Sequence, residues 1–283
     1  MMSKLLTIAM STYDDFDGVY FTIQSLRLYH EICQSSEVEF VILDNNPHSR
    51  HGYAIKNLIN NWNKDIKYIP FTNKITSFNK YKTVDYADGE IVIILDSHVL
   101  LIKDAIKNLI NYLSIENHNK NLVQGPLFYD DLKTYATEFN AVWSGDMYGV
   151  WHTNHEQYLK KEPFEILCQG MGLCAFKKQF FPSINPNFRG FGAEEWYIQE
   201  KFRQNGGKVI CLPSFGWIHR FDRPNGVQYR LSLEDRIFNY FLGWLELYKD
   251  ENHPMIKSII DNFKYRINNN ILSKLLIEAK SFQ

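Results

Sequence analysis

The sequence predicts an α/β fold, a doubly wound and mostly parallel central sheet with helices on both faces and a helical extension at the C-terminus. Three observations carry that expectation. Short, mostly apolar runs, LLTIAM at 5–10, EFVIL at 39–43 and the unbroken IVIIL at 91–95, have the character of strands buried on both faces. Amphipathic stretches separate them, as strand–helix–strand crossovers require. From residue 231 onward the periodicity is helical.

The elements follow in order. Leu5 to Met10 is a first strand, and Ser11-Thr12-Tyr13-Asp14-Asp15 closes it with small and acidic residues that form a loop and a helix N-cap. Gly18 to Ile32 then reads as helix. Glu39 to Leu43 is the second strand, ending at Asp44-Asn45-Asn46-Pro47; His51 to Asn63 is an amphipathic helix and Ile66 to Pro70 a third strand. Lys74 to Ala87 reads as a helix carrying Lys80 and Lys82, feeding the Ile91 to Leu95 strand, and Lys103 to Leu113 is the next helix. Val123 to Leu127 resembles a strand ending in a turn. Asp130 to Asn154 mixes aromatic, glycine and acidic residues without clean periodicity, which reads as irregular surface structure of the kind that forms binding loops. Cys168 to Phe176 reads as a strand interrupted by Gly170 and Gly172, explained either by a ligand close to the backbone or by a bulge. Gly190 and Gly192 make a turn ahead of a helix opened by Glu194 and Glu195, Gly206-Gly207 ends it, and Lys208 to Leu212 is a further strand. Leu231 to Phe282 reads as packing helices, or as an interface between copies in a homo-oligomer.

Composition narrows the function. With 283 residues, 45% apolar and 22% charged, the chain can bury a large core. A net charge of -1 announces no global basic field for nucleic acid or membrane. Cys33, Cys168, Cys174 and Cys211 show no paired or scaffold spacing and suit free buried thiols in a reducing compartment. The N-terminus is too soon polar for a signal peptide or anchor, and no later run approaches membrane-spanning length, so a cytoplasmic location is expected.

The chemistry gathers at strand ends, where open α/β sheets bind ligands. Neither GxGxxG nor GxxxxGK[ST] follows the first strand. Asp96 and His98 stand two apart after the central strand, so in extended chain they project to one side. They suit a divalent cation, or else a turn cap and an ordinary histidine. Asp44 can accept a hydrogen bond from a base-ring N–H or be a loop carboxylate. Lys80 or Lys82 can add charge near phosphates or lie on solvated helix faces. Glu194 and Glu195 match a helix macrodipole pattern and equally suit a general base beside a pocket. His219 is the natural third metal ligand, and Arg220 and Arg223 can pair with phosphate.

In order, strand-Asp44, GEIVIILDSH, QGMGLCAF, GFGAEEW and WIHRF resemble the GT-A glycosyltransferases, particularly the family 2-like group and its polypeptide N-acetylgalactosaminyltransferase relatives. Each of these motifs is weak alone; their order is specific. The resemblance covers about Leu5 to Arg223. It implies a GT-A catalytic domain over 1–228, with a nucleotide-binding half at 1–120 and an acceptor and sugar half at 121–228, followed by a helical extension at 229–283. It also implies a hexosyl- or pentosyltransferase that uses Mn²⁺, or another divalent cation, held by Asp96, His98 and His219. Thr12, Asp44, Lys82, Asp96, Gly170, Gly172, Arg220 and Arg223 would bind a nucleotide-sugar, a UDP-sugar being expected, and Glu195 with Glu194 would be catalytic. Ala193 departs from the glycine of relatives, and Glu195 stands where they carry Asp or Asn. The carboxylate there tilts toward inversion and leaves retention open. The acceptor is a hydroxyl on a glycan, protein or metabolite, or a hydroxymethylated pyrimidine in DNA as phage-type enzymes modify; a DNA acceptor needs a basic groove, with Lys160, Lys161, Lys177, Lys178 and Arg189 as candidates. A non-catalytic sugar-nucleotide binder and a zinc hydrolase are the competing classes.

Overall fold

The computed structural model describes residues 4–62, 65–73, 75–222, 226 and 229–282. Four strands, β1 (Lys4–Thr12), β2 (Val38–Asp44), β3 (Ile66–Pro70) and β4 (Gly89–Leu95), run parallel in the order β4-β1-β2-β3. Helices α1 (Phe16–Tyr29) and α2 (Arg50–Asn60) provide the first two crossovers. The third is shorter than expected. Instead of helix from residue 74, a single turn α3 (Asn79–Lys82) and a 3-10 turn at Thr83–Tyr86 form. Just ahead of them Thr76 is drawn into a bridge with Gly190 and Ser77 N–H donates to the Gly190 carbonyl, which delays the start of the helix.

The chain continues through β5 (Val99–Leu101), α4 (Ala105–Leu113), β6 (Leu122–Gln124), β7 (Leu127–Phe128) and β8 (Tyr135–Ala136). Next comes an antiparallel hairpin, β9 (Glu138–Ser144) and β10 (Met147–His152), where irregular chain was expected. The register slips between Tyr148 and Val150 at Gly149, whose φ of +121° no other residue adopts easily, and this bulge breaks the alternation that would have announced the strand. Helix α5 (His155–Leu159) leads to β11 (Phe164–Glu165) and β12 (Leu173–Lys177). Helix α6 (Glu194–Gln204), β13 (Val209–Cys211) and β14 (Trp217–His219) complete the sheets, and α7 (Leu233–Tyr248), α8 (Pro254–Phe263) and α9 (Asn269–Lys280) end the chain.

The main sheet has eight strands ordered β11-β13-β6-β12-β4-β1-β2-β3. In it β12 is antiparallel to both β4 and β6, and the edge strand β11 is antiparallel to β13, so two reversed strands interrupt an otherwise parallel sheet. A smaller sheet, β5-β14-β7-β8, lies beyond the C-terminal end of β4. Along β4, Ile91, Ile93 and Leu95 enter the apolar layer beneath α1 and α4, while Val92 and Ile94 enter the layer on the other face. All four cysteines are buried and free, as expected. Among the described residues, no helix is long and apolar enough to cross a membrane.

The C-terminal helices belong to the same core as the sheet. Phe238, Phe241, Leu245, Phe263 and Ala279 share one buried cluster with Val92, Ile94 and Phe176. Helix α7 also grips the loop ahead of α6. The wholly buried Asn239 donates through Nδ2 to the carbonyls of Arg189 (2.6 Å) and Gly192 (3.1 Å) and accepts from Arg189 N–H (3.0 Å). The Arg189 side chain is tied in turn to Asp235 of α7 and Glu278 of α9.

Replacing Asn239 strands three buried backbone groups, each costing on the order of 1 kcal/mol or more. Asn239→Ala should therefore lower stability by about 3 kcal/mol in urea denaturation; a loss under about 1 kcal/mol would show that the clasp is not structural.

Candidate active site

The end of β4 is pinned first. Asp96 N–H donates to the Gly172 carbonyl at 2.9 Å, so the residue after the central strand is fixed against the segment preceding β12. A turn through Ser97 and His98 enters β5, which pairs antiparallel with β14 so that His219 lies opposite Val99. Arg220 N–H reaches the His98 carbonyl at 3.2 Å. This pairing brings His219 beside His98 across 121 residues of sequence, with ring centroids 4.7 Å apart. The ligand atoms of Asp96, His98 and His219 all lie within 4.8 Å of one another.

Charge is concentrated around Asp96. Burial alone would raise its pKa; the Lys80 ammonium at 3.4 Å from Oδ1 and His219 Nε2 at 3.3 Å from Oδ2 outweigh burial and hold it well below the usual carboxylate range. Lys80 is itself buried, donates to the Met171 carbonyl at 2.8 Å and lies 3.9 Å from Glu194 Oε1. Burial opposes its charge, but the carboxylates of Asp96 and Glu194 prevail, so its pKa is raised and the ammonium persists. The sequence reading assigned Lys82 to the donor. In the structure Lys82 is exposed and faces Asp85 at 3.6 Å, two residues past Lys80 and so on the opposite side of the helical turn from the lysine that is buried.

Asp44 lies at the end of β2, in register with Thr12 at the end of β1. It is buried and accepts from Tyr68 Oη (2.6 Å) and Asn46 N–H (2.9 Å), and burial raises its pKa in spite of both bonds. Thr12 Oγ1 is buried with no hydrogen-bond partner among the described residues, so a polar group is presented at this strand end. Arg220 donates to Asp15 at 2.8 Å. Arg223 lies outside the described residues.

Glu194 and Glu195 open α6, both buried. Glu194 accepts from Ser77 Oγ at 3.2 Å and faces Lys80. Glu195 is pushed up to about 8, first by burial and then by the neighbouring Glu194 charge, with Lys80 and Arg236 opposing. The helix is held in place by polar contacts along its length. Gln199 Nε2 donates to the Gln169 carbonyl (2.6 Å) while its Oε1 accepts from Gln169 N–H (3.0 Å), and Trp196 Nε1 donates to the Tyr148 carbonyl (2.7 Å). Ala193 caps the helix at φ +73°, a left-handed conformation that strains any residue with a Cβ.

Gly170 and Gly172 precede β12 rather than interrupting it. A Cβ at Gly170 would lie 2.7 Å from the Trp151 ring, and one at Gly172 would lie 2.8 Å from Trp217 and 3.3 Å from the His219 ring. The close approach inferred for a donor is thus taken up by protein rings, and Gly172 lets Trp217 and His219 pack tightly.

Sequence reading missed Asp15, which bonds His98, Ser97 and Arg220, and the assignment to the donor went to Lys82 instead of Lys80. An acid beside another acid after a strand signalled only a helix cap, which Asp15 also is. The candidates for a DNA groove are engaged elsewhere: Lys160 with Glu156, Lys161 over Tyr158, Lys177 with Glu90, Lys178 with the Ala87 carbonyl and Arg189 with Asp235 and Glu278.

The family model described as glycosyl transferase family 2 matches residues 7–184. No curated protein matches. Among solved structures, GalNAc-T7 with UDP, GalNAc and Mn²⁺ superposes with a TM-score of 0.69 at 16% identity, over 96% of this chain. This chain spans only 58% of that protein's length. The mannosyltransferase PcManGT from Pyrobaculum calidifontis, in complex with GDP-Man and Mn²⁺, gives 0.57 at 14% identity, covering 98% of this chain and 74% of that one. Residues 1–349 of S. aureus TarS give 0.56 at 13%, covering 94% and 73%. The GT-A fold expected from the sequence is the fold found.

The left-handed Ala193 yields a direct test. Ala193→Gly should raise stability by about 0.5–1 kcal/mol, the relief of strain less the added freedom of the unfolded chain. A denaturation midpoint that stays or falls would show that the cap is unstrained.

Proposed function

We propose that this chain, which belongs to glycosyl transferase family 2, transfers a sugar from a nucleotide diphosphate donor, a UDP-sugar, to an acceptor hydroxyl with the help of a divalent cation. The observation that carries the reading is the Asp96, His98 and His219 cluster, three ligand atoms within 4.8 Å at the carboxyl end of the central strand. One anionic oxygen and two imidazole nitrogens make a donor set fit for Mn²⁺. The solved relatives that hold Mn²⁺ with UDP or with GDP-Man support the same assignment. A cation bound there supplies Lewis-acid charge against the leaving diphosphate.

The chain's own residues do the rest. Asp44 accepts from the base ring, and Thr12 Oγ1 offers its unused bonding capacity to the nucleoside. Arg220 adds positive charge on the diphosphate side, and Lys80 holds Asp96 as an anion and sits 3.9 Å from Glu194. Glu195 accepts the acceptor hydroxyl's proton as its oxygen forms the bond to the anomeric carbon and the bond from that carbon to the diphosphate breaks, which inverts the anomeric configuration. A buried carboxyl raised toward neutral pH is matched to the task of a base in the working range. With the acceptor oxygen entering, the nucleoside diphosphate leaves with both electrons of the broken bond.

A thermal-shift screen of UDP-, GDP-, CDP- and TDP-sugars, with and without Mn²⁺, tests the donor. A metal-dependent rise with UDP-sugars is expected, and His219→Ala should abolish that metal dependence. No shift with any nucleotide would overturn the reading. The base assignment has its own test. Glu195→Gln should lower kcat by about 10²–10⁴-fold with little change in KM for the donor, and near-normal kcat would remove Glu195 from catalysis.

The pH dependence follows with its sign. Since the folded state favours the neutral carboxyl, Glu195 is mostly protonated below about pH 8, and the rate should climb through that value. By linkage, stability contributed at this residue is complete below the ordinary carboxylate range and declines as pH rises through about 8. Glu195→Gln should therefore melt higher than the parent chain at pH 9 and lose the wild-type decline between pH 6 and 9. Parallel melting curves for the two proteins across that range would contradict the shift.

A further inference from the structure

We propose that Asp15 is the positioning residue of the metal site: its carboxylate fixes the tautomer and orientation of His98 and ties that ligand to Arg220. The inference rests on the metal-dependent reading above and adds a residue to it. Asp15 lies three positions past the end of β1, at the N-cap of α1, where Oδ1 accepts from Gly18 N–H at 3.2 Å. Three further groups from two distant parts of the chain converge on it. Oδ2 accepts from Ser97 Oγ at 3.0 Å and lies 2.7 Å from His98 Nδ1, while Oδ1 accepts from Arg220 Nη2 at 2.8 Å.

The chemistry of that convergence is directional. An ionised carboxylate has only acceptors, so a 2.7 Å contact with Nδ1 requires the proton to sit on Nδ1. The neutral ring then carries its lone pair on Nε2, the nitrogen that would ligate a cation. The other oxygen grips Arg220, the residue next to His219, so one carboxylate braces both strands that carry the histidine ligands. The two histidines differ in this respect. His219 Nδ1 is buried with no hydrogen-bond partner, and its ring is set instead by Asp96, by Trp217 at 6.0 Å and by the space left at Gly172. His98 alone is steered by a carboxylate outside the ligand set. A carboxylate on the far nitrogen of a ligating histidine sets its orientation and raises its basicity, and losing one lowers metal affinity about 10–100-fold.

The test uses the full chain and Mn²⁺ alone, so that it is independent of any sugar donor. Mn²⁺ binding would be titrated by the electron paramagnetic resonance signal of the free ion in wild type, Asp15→Asn and Asp15→Ser. Both Asn and Ser retain a helix cap and remove the charge. Each variant should bind Mn²⁺ about 10–100-fold more weakly. In the metal-free proteins, ring ¹⁵N shifts of labelled histidine should show His98 wholly in the Nδ1–H form in wild type and in a mixture in both variants. A purely structural cap would move neither reading. Wild-type Mn²⁺ affinity in the variants, or an unchanged His98 tautomer, would overturn the role of Asp15 while leaving the metal site standing. A wild-type chain that binds no Mn²⁺ would overturn both.

Discussion

One buried ammonium holds the two halves of the site together. Lys80 reaches Asp96 on the metal side and Glu194 on the acid side, and its third contact is the Met171 carbonyl between them. Three carboxyl groups, Asp96, Glu194 and Glu195, are gathered into an interior that penalises each charge separately. The Lys80 cation, with the two histidines, reverses that penalty at Asp96. The remaining proton therefore falls to Glu195, farthest in charge terms from compensation and next to the Glu194 anion. The two adjacent glutamates differ in where that lysine ends: Glu194 lies 3.9 Å from it, and Glu195 is the one whose carboxyl is pushed up to about 8.

Much of this arrangement was legible in the sequence, and the reasons can be stated residue by residue. Ile91 to Leu95 signalled a central strand because both of its faces are buried, and Asp96 and His98 followed from its carboxyl end. His219 could be linked to them only through the order of motifs that resembles a family; spacing in the chain holds no trace of the β5–β14 pairing that brings the rings together. Lys80 and Lys82 were indistinguishable as letters, since both stand in one polar stretch, and a short turn of helix decides which points inward. The hairpin from Glu138 to His152 escaped notice because a bulge at Gly149 shifts its alternation midway. Asp15 looked like a helix cap, and it is one, but a cap has a second oxygen to spare.

The glycine-rich segments teach a related lesson. Gly170 and Gly172 were singled out for what could approach them, and something does, yet it is the chain's own Trp151 and Trp217. Tight packing behind His219 serves the ligand set as surely as contact with a substrate would, because a ring wedged against indole has little freedom to swing away. Among the four positions of the GFGA turn, Ala193 alone carries a Cβ in a left-handed conformation, so this loop holds local strain one residue ahead of its acids.

The clasp made by Asn239 bears on the order in which the protein can be assembled. The match to the family ends at residue 184, and the acids follow only ten residues later, but the side chain that secures their loop arrives a further 45 positions on, in α7. During synthesis from the N-terminus, the parallel strands and the Asp96 end of β4 can form while α7 is still inside the ribosome. Glu194 and Glu195 cannot be set until it emerges. The growing chain thus completes the Asp96 end of the sheet before the loop of its two glutamates, and the helices that close the core arrive last.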